Sequence, residues 1–409
     1  KKTFIKKSIC IFFFGLISVF AFADEKKIIL GGKSGWQNLK KQENITNGKG
    51  RFGYDCIELS TNSFVFDEST DLLINFESQE NPVSQGNYEV RENNLKVSSY
   101  SLMGKSAGLS RNIGGLNVFG KPGTFFGSQG LIGSFAIEFW LCPSISENGE
   151  LILNWESSKV VNGRLVYQML NCSFEDGHLV WKLSNIFDGF KNENGDSDVE
   201  MKGDSVIIPQ KWSYHALSYN CENGCLEYFV DGITQDITYI TSNRKEDGEV
   251  CLVEMGNPSE LEICSEYTGL IDDIRILRRP YSPPDYQSAE YAGKSERMIY
   301  IPTGGYFETL PLMVSTGATL KSLKAELDMP SQTDIEFYVR SGDNYFNWTD
   351  SYPEWKPVEN GQQLYDVNGL YFQVACYLYP DGNGITTPSV TSIELNFEEI
   401  SMPLPPFNV

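Results

Sequence analysis

The chain has 409 residues, with 33 basic and 54 acidic side chains, a formal net charge of −21 and only 2 histidines. A surface this acidic repels phosphate backbones and excludes nucleic acid as a partner, because binding there depends on clustered Lys and Arg that release counterions. Two histidines leave little material for imidazole metal centres or His general-base chemistry, whereas carboxylate chemistry stays open.

In chain order, the first element is an export signal over residues 1–23. Basic residues end at Lys7, an apolar run extends from Ile9 to Phe22, and Ala21-Phe22-Ala23 offers small residues for cleavage before Asp24. The apolar run is short for a bilayer span, and no later segment reaches the roughly 18 apolar residues a membrane helix needs, so no membrane span is expected. Residues 24–60 are polar, rich in Lys, Asn and Gly, and read as a leader, either flexible or an edge strand.

From residue 61 onward, short alternating runs are separated by Gly, Asn, Asp and Pro, the pattern of strands joined by turns. Phe135, Ile137, Phe139 and Leu141 share one face of a strand, as do Leu226, Tyr228 and Val230 before the Asp231-Gly232 turn. After Gly269 the alternation places Asp272 on the face of Leu270, Ile274 and Ile276. A carboxylate there must find donors, most simply loop backbone N–H groups. Arg275 and Asp273 fall on the opposite face, as a solvated pair. Arg279-Pro280-Tyr281-Ser282-Pro283-Pro284 breaks the rhythm, since Pro lacks the ladder donor, and sets a Pro-rich linker over 280–296. A second strand-rich block spans 297–400, followed by a Pro-rich tail over 401–409. The fold class is therefore all-β, with sandwiches favoured by length and by the many antiparallel runs.

Four segments in order carry a resemblance. Ser134-Phe135-Ala136-Ile137-Glu138-Phe139-Trp140, Trp212-Ser213-Tyr214-His215, Leu226-Glu227-Tyr228-Phe229-Val230-Asp231-Gly232 and Gly269-Leu270-Ile271-Asp272-Asp273-Ile274-Arg275-Ile276 resemble the laminin-G-like branch of the concanavalin A-like lectin/glucanase family. The resemblance covers roughly residues 70–280 and implies a jelly roll of two packed antiparallel sheets within a 61–279 domain. The 297–400 block loosely resembles the small β-sandwich accessory domains that follow laminin-G-like domains in bacterial exported proteins, through Arg340-Ser341-Gly342, Trp355, Tyr371-Phe372-Gln373-Val374 and Pro388-Ser389-Val390. Together with the signal, this implies the periplasm or the surface of a bacterium. The superfamily includes sugar binders, adhesion modules and glycosidases, so fold does not settle function.

Catalytic members commonly carry Glu-x-Asp-x-x-Glu on one strand, which points acids into a cleft. The nearest string here, Glu326-Leu327-Asp328-Met329-Pro330-Ser331, lacks the third acid and contains Pro. Glu138 stands alone on its strand. Gly115 to Lys121 mimics a phosphate-binding loop, but Pro122 replaces the required Ser or Thr. His178 and His215 are separate and read as packed or hydrogen-bonded. The chain is therefore read as non-catalytic, with a glycosidase of degenerate motif as the one enzyme alternative.

Candidate binding residues are Tyr345, Phe346, Trp348, Tyr352 and Trp355, whose rings can stack on sugars, anchor a protein partner or fill their own loop's core. Asp188, Asp196 and Asp198, in the acidic loop Asn185 to Glu200, supply oxygens that calcium can use, but without EF-hand spacing; a solvated loop is the competing reading, and no cofactor is expected beyond this calcium candidate. Asp381-Gly382-Asn383-Gly384 reads as a turn. Cys221 and Cys225 flank a hairpin turn and form either a disulfide across it or two free thiols. The functional expectation is an exported binding protein that recognises a glycan or a protein partner in the cell envelope. The alternative to binding is a self-associating structural subunit of an envelope or filament assembly.

Overall fold

The computed structural model describes residues 25–37, 39–50, 53–283 and 299–399. The expected signal over 1–23, residues 284–296 of the expected linker and the 401–409 tail lie outside the described residues. Among the described residues every named element is a strand, and no helix is long and apolar enough to cross a membrane.

The first unit is a jelly-roll sandwich of two antiparallel sheets. One has seven strands in the order Asp198–Lys202, His178–Ser184, Arg164–Glu175, Leu151–Val161, Glu260–Glu266, Leu116–Gly120 and Tyr88–Asn93. The other has nine, with the path Ile233–Tyr239, Cys225–Val230, Ser213–Asn220, Phe135–Pro143, Thr268–Leu277, Thr70–Ile74 and Val83–Gly86. Side-chain alternation explains why they pack. Leu153, Trp155, Leu170, Cys172, Trp181, Leu183 and Ile263 from the first sheet meet Phe135, Ile137, Phe139, Leu141, Leu226, Tyr228 and Val230 from the second in one buried cluster.

The second unit is one ten-stranded sheet folded around its own core. Ser389–Glu399 pairs along one edge with Leu312–Asp328 and along the other with Glu25–Gly31 and Asp55–Leu59 in succession. Asn368–Tyr379 likewise pairs with Asp334–Gly342 on one side and with Gly305–Thr309 and Leu312–Asp328 on the other. Ile57, Phe307, Leu323, Val339, Val374 and Leu395 converge at its centre.

Two expectations change here. The polar leader over 24–60 supplies strands Glu25–Gly31, Leu39–Glu43, Ile45–Lys49 and Asp55–Leu59 to the second unit. Its polarity follows the sheet's ends, where Leu39–Glu43 and Ile45–Lys49 are mostly exposed, while the interior strand Asp55–Leu59 carries the buried Cys56, Ile57 and Leu59. In Thr268–Leu277, Ile271, Ile274 and Ile276 face the core, whereas Asp272 lies opposite Trp140 on the outer face. A register shift at this pairing, with Asp273 at φ 34°, inverts the alternation.

Candidate functional site

The outer face of the nine-stranded sheet is covered. Phe64, Leu102 and Met103 pack over Leu73, Trp140, Tyr214, Ala216 and Phe229. Buried charges hold this cover down. Asp272 Oδ2 accepts from the backbone N–H of Leu102 at 2.9 Å and of Met103 at 3.0 Å, and Asp273 Oδ2 accepts from Phe64 N at 2.7 Å. Burial pushes both carboxyls above their ordinary range. Arg275 donates from Nε to Glu138 and from Nη1 to Val65 O at 2.8 Å, while its guanidinium lies 4.8 Å from the Phe64 ring centroid. Tyr214 donates its hydroxyl to the other Glu138 oxygen. Asp272 thus bonds loop N–H groups, but the pair Arg275 and Asp273 is buried, not solvated, because the chain from Asn62 to Phe66 crosses above it. Glu138, which stands alone on its strand, is enclosed and ion-paired.

The outer face of the seven-stranded sheet is different. Cross-strand register sets Glu92, Asn117, Glu262, Asn154, Asn171, Lys182 and Glu200 opposite one another in a row that crosses all seven strands. Asn117, Glu262, Asn154, Asn171 and Lys182 are all partly exposed. Their mutual contacts are long: Asn154 Nδ2 to Glu262 Oε2 is 3.4 Å and Asn171 Nδ2 to Asn154 Oδ1 is 3.5 Å. Hydrogen bonds of this length are weak, so the amides keep donor and acceptor capacity for a ligand. Lys182 reaches sideways to Glu175 at 2.5 Å.

The row continues into a projecting arm. Leu151–Val161 pairs with Glu260–Glu266 only as far as Trp155, and Arg164–Glu175 pairs with His178–Ser184 only from Met169. Beyond those points the two strands form a hairpin ribbon pinned on its inner side, where Lys159 Nζ meets Glu254 Oε2 at 2.6 Å and Gln168 Nε2 donates to Glu254 O at 2.7 Å. Its outer side, continuous with the polar row, shows Val160, Leu165 and Tyr167, which are 68%, 56% and 73% exposed. Nothing in the sequence marks this surface, since its residues are scattered from 92 to 262 and only pairing register gathers them.

The sequence candidates fall elsewhere. Trp348 and Trp355 clamp a buried arginine: the Arg340 guanidinium lies 5.1 Å and 4.2 Å from their ring centroids. Arg340 Nε donates to Gln373 Oε1 at 2.8 Å and Nη1 to Thr349 O at 2.6 Å, which ties the aromatic segment to the sheet. The outward rings are Tyr345, stacked on Phe346 at 4.5 Å, and Tyr352. The five aromatics thus divide into a half-buried pair that clamps Arg340 and an exposed set.

Asp188, Asp196 and Asp198 are exposed and are not drawn together; among the described residues no group of three His, Cys, Asp or Glu is gathered to hold a metal ion. Asn192 organises the loop instead, as its Oδ1 accepts from Asp196 N at 3.0 Å and its Nδ2 donates to Asp198 O at 3.2 Å. Cys221 and Cys225 are free thiols. The hairpin pairs Cys225 with Asn220, which leaves Cys221 in the turn, with its sulfur 3.2 Å from Ser134 Oγ. Asp381 closes its turn by accepting from Ile385 N and Thr386 N. His215 is fully buried, with Nε2 2.8 Å from Ser213 Oγ and Nδ1 2.8 Å from Tyr228 OH; burial lowers its pKa to about 3.

Fold and surface together define an all-β jelly-roll sandwich protein with one open, polar sheet face. No protein-family model matches the chain, and no curated protein matches it. Among solved structures, domain 4 of AbnA, a GH43 extracellular arabinanase from Geobacillus stearothermophilus, in complex with arabinotriose, is similar at 15% identity and a TM-score of 0.36, over 54% of this chain and 98% of that one. The binding domain of botulinum neurotoxin DC in complex with SialylT is similar at 12% identity and a TM-score of 0.36, over 72% and 70%. The CBM40 of the Ruminococcus gnavus IT-sialidase bound to alpha2,3 sialyllactose is similar at 11% identity and a TM-score of 0.27, over 39% and 83%. Similarity of this degree assigns no ligand.

Proposed function

We propose that this chain is an exported, non-catalytic binding protein of the bacterial cell envelope. On this reading its first sandwich, laminin-G-like in sequence, recognises a glycan on the outer face of the seven-stranded sheet. The observation that carries the reading is the row Asn117, Glu262, Asn154, Asn171 and Lys182, partly exposed and weakly bonded within itself. Amides and carboxylates set at strand spacing suit the paired donors and acceptors of sugar hydroxyls, and the exposed ring of Tyr167 lies farther along the same face of Arg164–Glu175. The acids in the row favour an uncharged glycan, because a sugar carboxylate there meets like charge. Absence of turnover is supported by the enclosure of Glu138 and by the use of Asp272 and Asp273 as loop anchors.

The test is a glycan array of neutral oligosaccharides with the full chain and with an Asn154→Ala/Asn171→Ala variant. Specific signals that vanish in the variant, at unchanged melting temperature, support the reading. Signals that survive the double substitution, or polysaccharide hydrolysis lost on Glu138→Gln, overturn it. A second reading, self-association into an envelope assembly, is favoured by one observation: the apolar outer side of the arm, Val160, Leu165 and Tyr167. Concentration-dependent sedimentation abolished by Leu165→Glu, with no sugar response, would establish that alternative.

A further inference from the structure

The second unit holds a feature that runs against the charge of the chain. Strand Glu25–Gly31 sets Lys27 opposite Asn396 of Ser389–Glu399, whose other edge sets Asn396 opposite Ser322 and Glu394 opposite Lys324. Ser322 also bridges to Gln363. Of these, Lys27, Ser322, Lys324, Gln363 and Asn396 line a cavity of about 390 Å³ together with Lys321 and Glu398. Three lysines there against the two acids Glu394 and Glu398 leave a small positive excess on a chain with net charge −21, and a concavity of that sign attracts anions.

Charge pairing is incomplete there. Lys27 Nζ lies 3.2 Å from Glu394 Oε1 and Lys321 Nζ lies 2.9 Å from Glu398 Oε2. Among the described residues Lys324, which is exposed, has no ion-pair partner. Hydrogen bonds from Asn396 and Lys27, with the nearby charges of Lys27 and Lys324, hold the Glu394 carboxyl below its ordinary range. Three lysines against two acids leave one net positive charge in the cluster, which matches a monoanion better than a dianion. Around it stand neutral hydrogen-bonding groups: Asn396, whose Nδ2 donates to Ser322 Oγ at 3.2 Å, and Gln363. Amide and hydroxyl groups beside a cation suit a small polar ligand that carries both hydroxyls and one carboxylate.

We infer that this cavity binds a carboxylate-bearing sugar residue, with Lys324 holding the carboxylate and Asn396, Gln363 and Ser322 meeting ring hydroxyls. The site is separate from the sheet face of the first unit and goes beyond the function proposed for it.

The experiment is a chemical-shift titration of the full chain with methyl glucuronide, methyl glucoside, acetate and inorganic phosphate. Methyl glucuronide should bind at least about tenfold more tightly than methyl glucoside, with affinity falling as salt rises, and Lys324→Gln should remove about that factor at unchanged melting temperature. Equal binding of the glucoside, phosphate or acetate matching the glucuronide, or an indifferent Lys324→Gln overturns the inference. The Asn154→Ala/Asn171→Ala variant separates the two proposals: it should keep glucuronide binding intact, so either site can fail without the other.

Discussion

Arg275 and Glu138 face each other across adjacent strands, paired in register and both withdrawn from water beneath the Asn62 to Phe66 crossing. A buried ion pair contributes little net stability against apolar isosteres, but removing one partner leaves an uncompensated charge. Arg275→Met should therefore destabilise the first unit by about 3–5 kcal/mol, read from urea unfolding. A Glu138→Met/Arg275→Met double variant should recover most of that loss. If the single substitution costs no more than a surface change, the enclosure argument against a catalytic Glu138 loses its support.

His215 gives the fold a pH dependence of defined sign. Its pKa in the folded chain is lowered to about 3 by burial, below the roughly 6.5 of a free imidazole, so the unfolded chain binds the extra proton first as pH falls. The stability contributed by neutral His215 is fully present above about pH 6.5 and is lost on acidification, by at most about 1.4 kcal/mol per unit. Asp272 and Asp273, raised by burial, act in the opposite sense, since the folded chain takes their protons first. The diagnostic is thus a comparison: between about pH 4 and pH 6, His215→Gln should make the slope of unfolding free energy against pH less positive than in the parent chain, whatever the sign set by the two acids. Parallel slopes would show that His215 does not stay neutral in the fold.

The thiols offer a direct check on the hairpin. Cys221 and Cys225 are partly exposed, whereas Cys56, Cys142, Cys172, Cys251, Cys264 and Cys376 are buried. Burial raises the Cys172 and Cys264 thiols well above their ordinary range and so withholds the reactive thiolate. Native labelling with a thiol reagent should modify Cys221 and Cys225 and spare Cys172 and Cys264 until denaturant is added. A peptide map that shows Cys221 joined to Cys225 would contradict the Asn220 to Cys225 register.

Alternation made the sheets legible in the sequence, since Phe135, Ile137, Phe139 and Leu141 must share a face once the segment is a strand. It misplaced Asp272 because a register irregularity inverts the count and carries no clear composition signal. In the leader, read as flexible or as an edge strand, the several strands and their assignment to the second unit were hidden for another reason. Leu39–Glu43 is almost wholly exposed, and its partner Gly305–Thr309 lies far along the chain, so nothing local announces a strand. The row on the seven-stranded sheet was illegible in the same way: each Asn looked like any outward residue until pairing set Asn154 beside Asn171 and Glu262.

The aromatic segment provides the sharpest separation of roles. Trp348 and Trp355 hold Arg340, a residue only 1% exposed whose Nη2 has no hydrogen-bond partner. Guanidinium over indole is favourable, and loss of either half-buried ring opens the buried cation to incomplete solvation. Trp355→Ala should therefore cost about 2–4 kcal/mol, from lost packing plus the cation–π contact, and should loosen the segment that Arg340 ties down through Thr349 O. Phe346, 82% exposed, has no such duty, and Phe346→Ala should stay within about 0.5 kcal/mol. The readout is thermal unfolding of the second unit alongside near-ultraviolet circular dichroism of the tryptophans. Equal tolerance of the two substitutions would mean that the clamp is not formed and would return Trp348 and Trp355 to the set of rings available to a ligand.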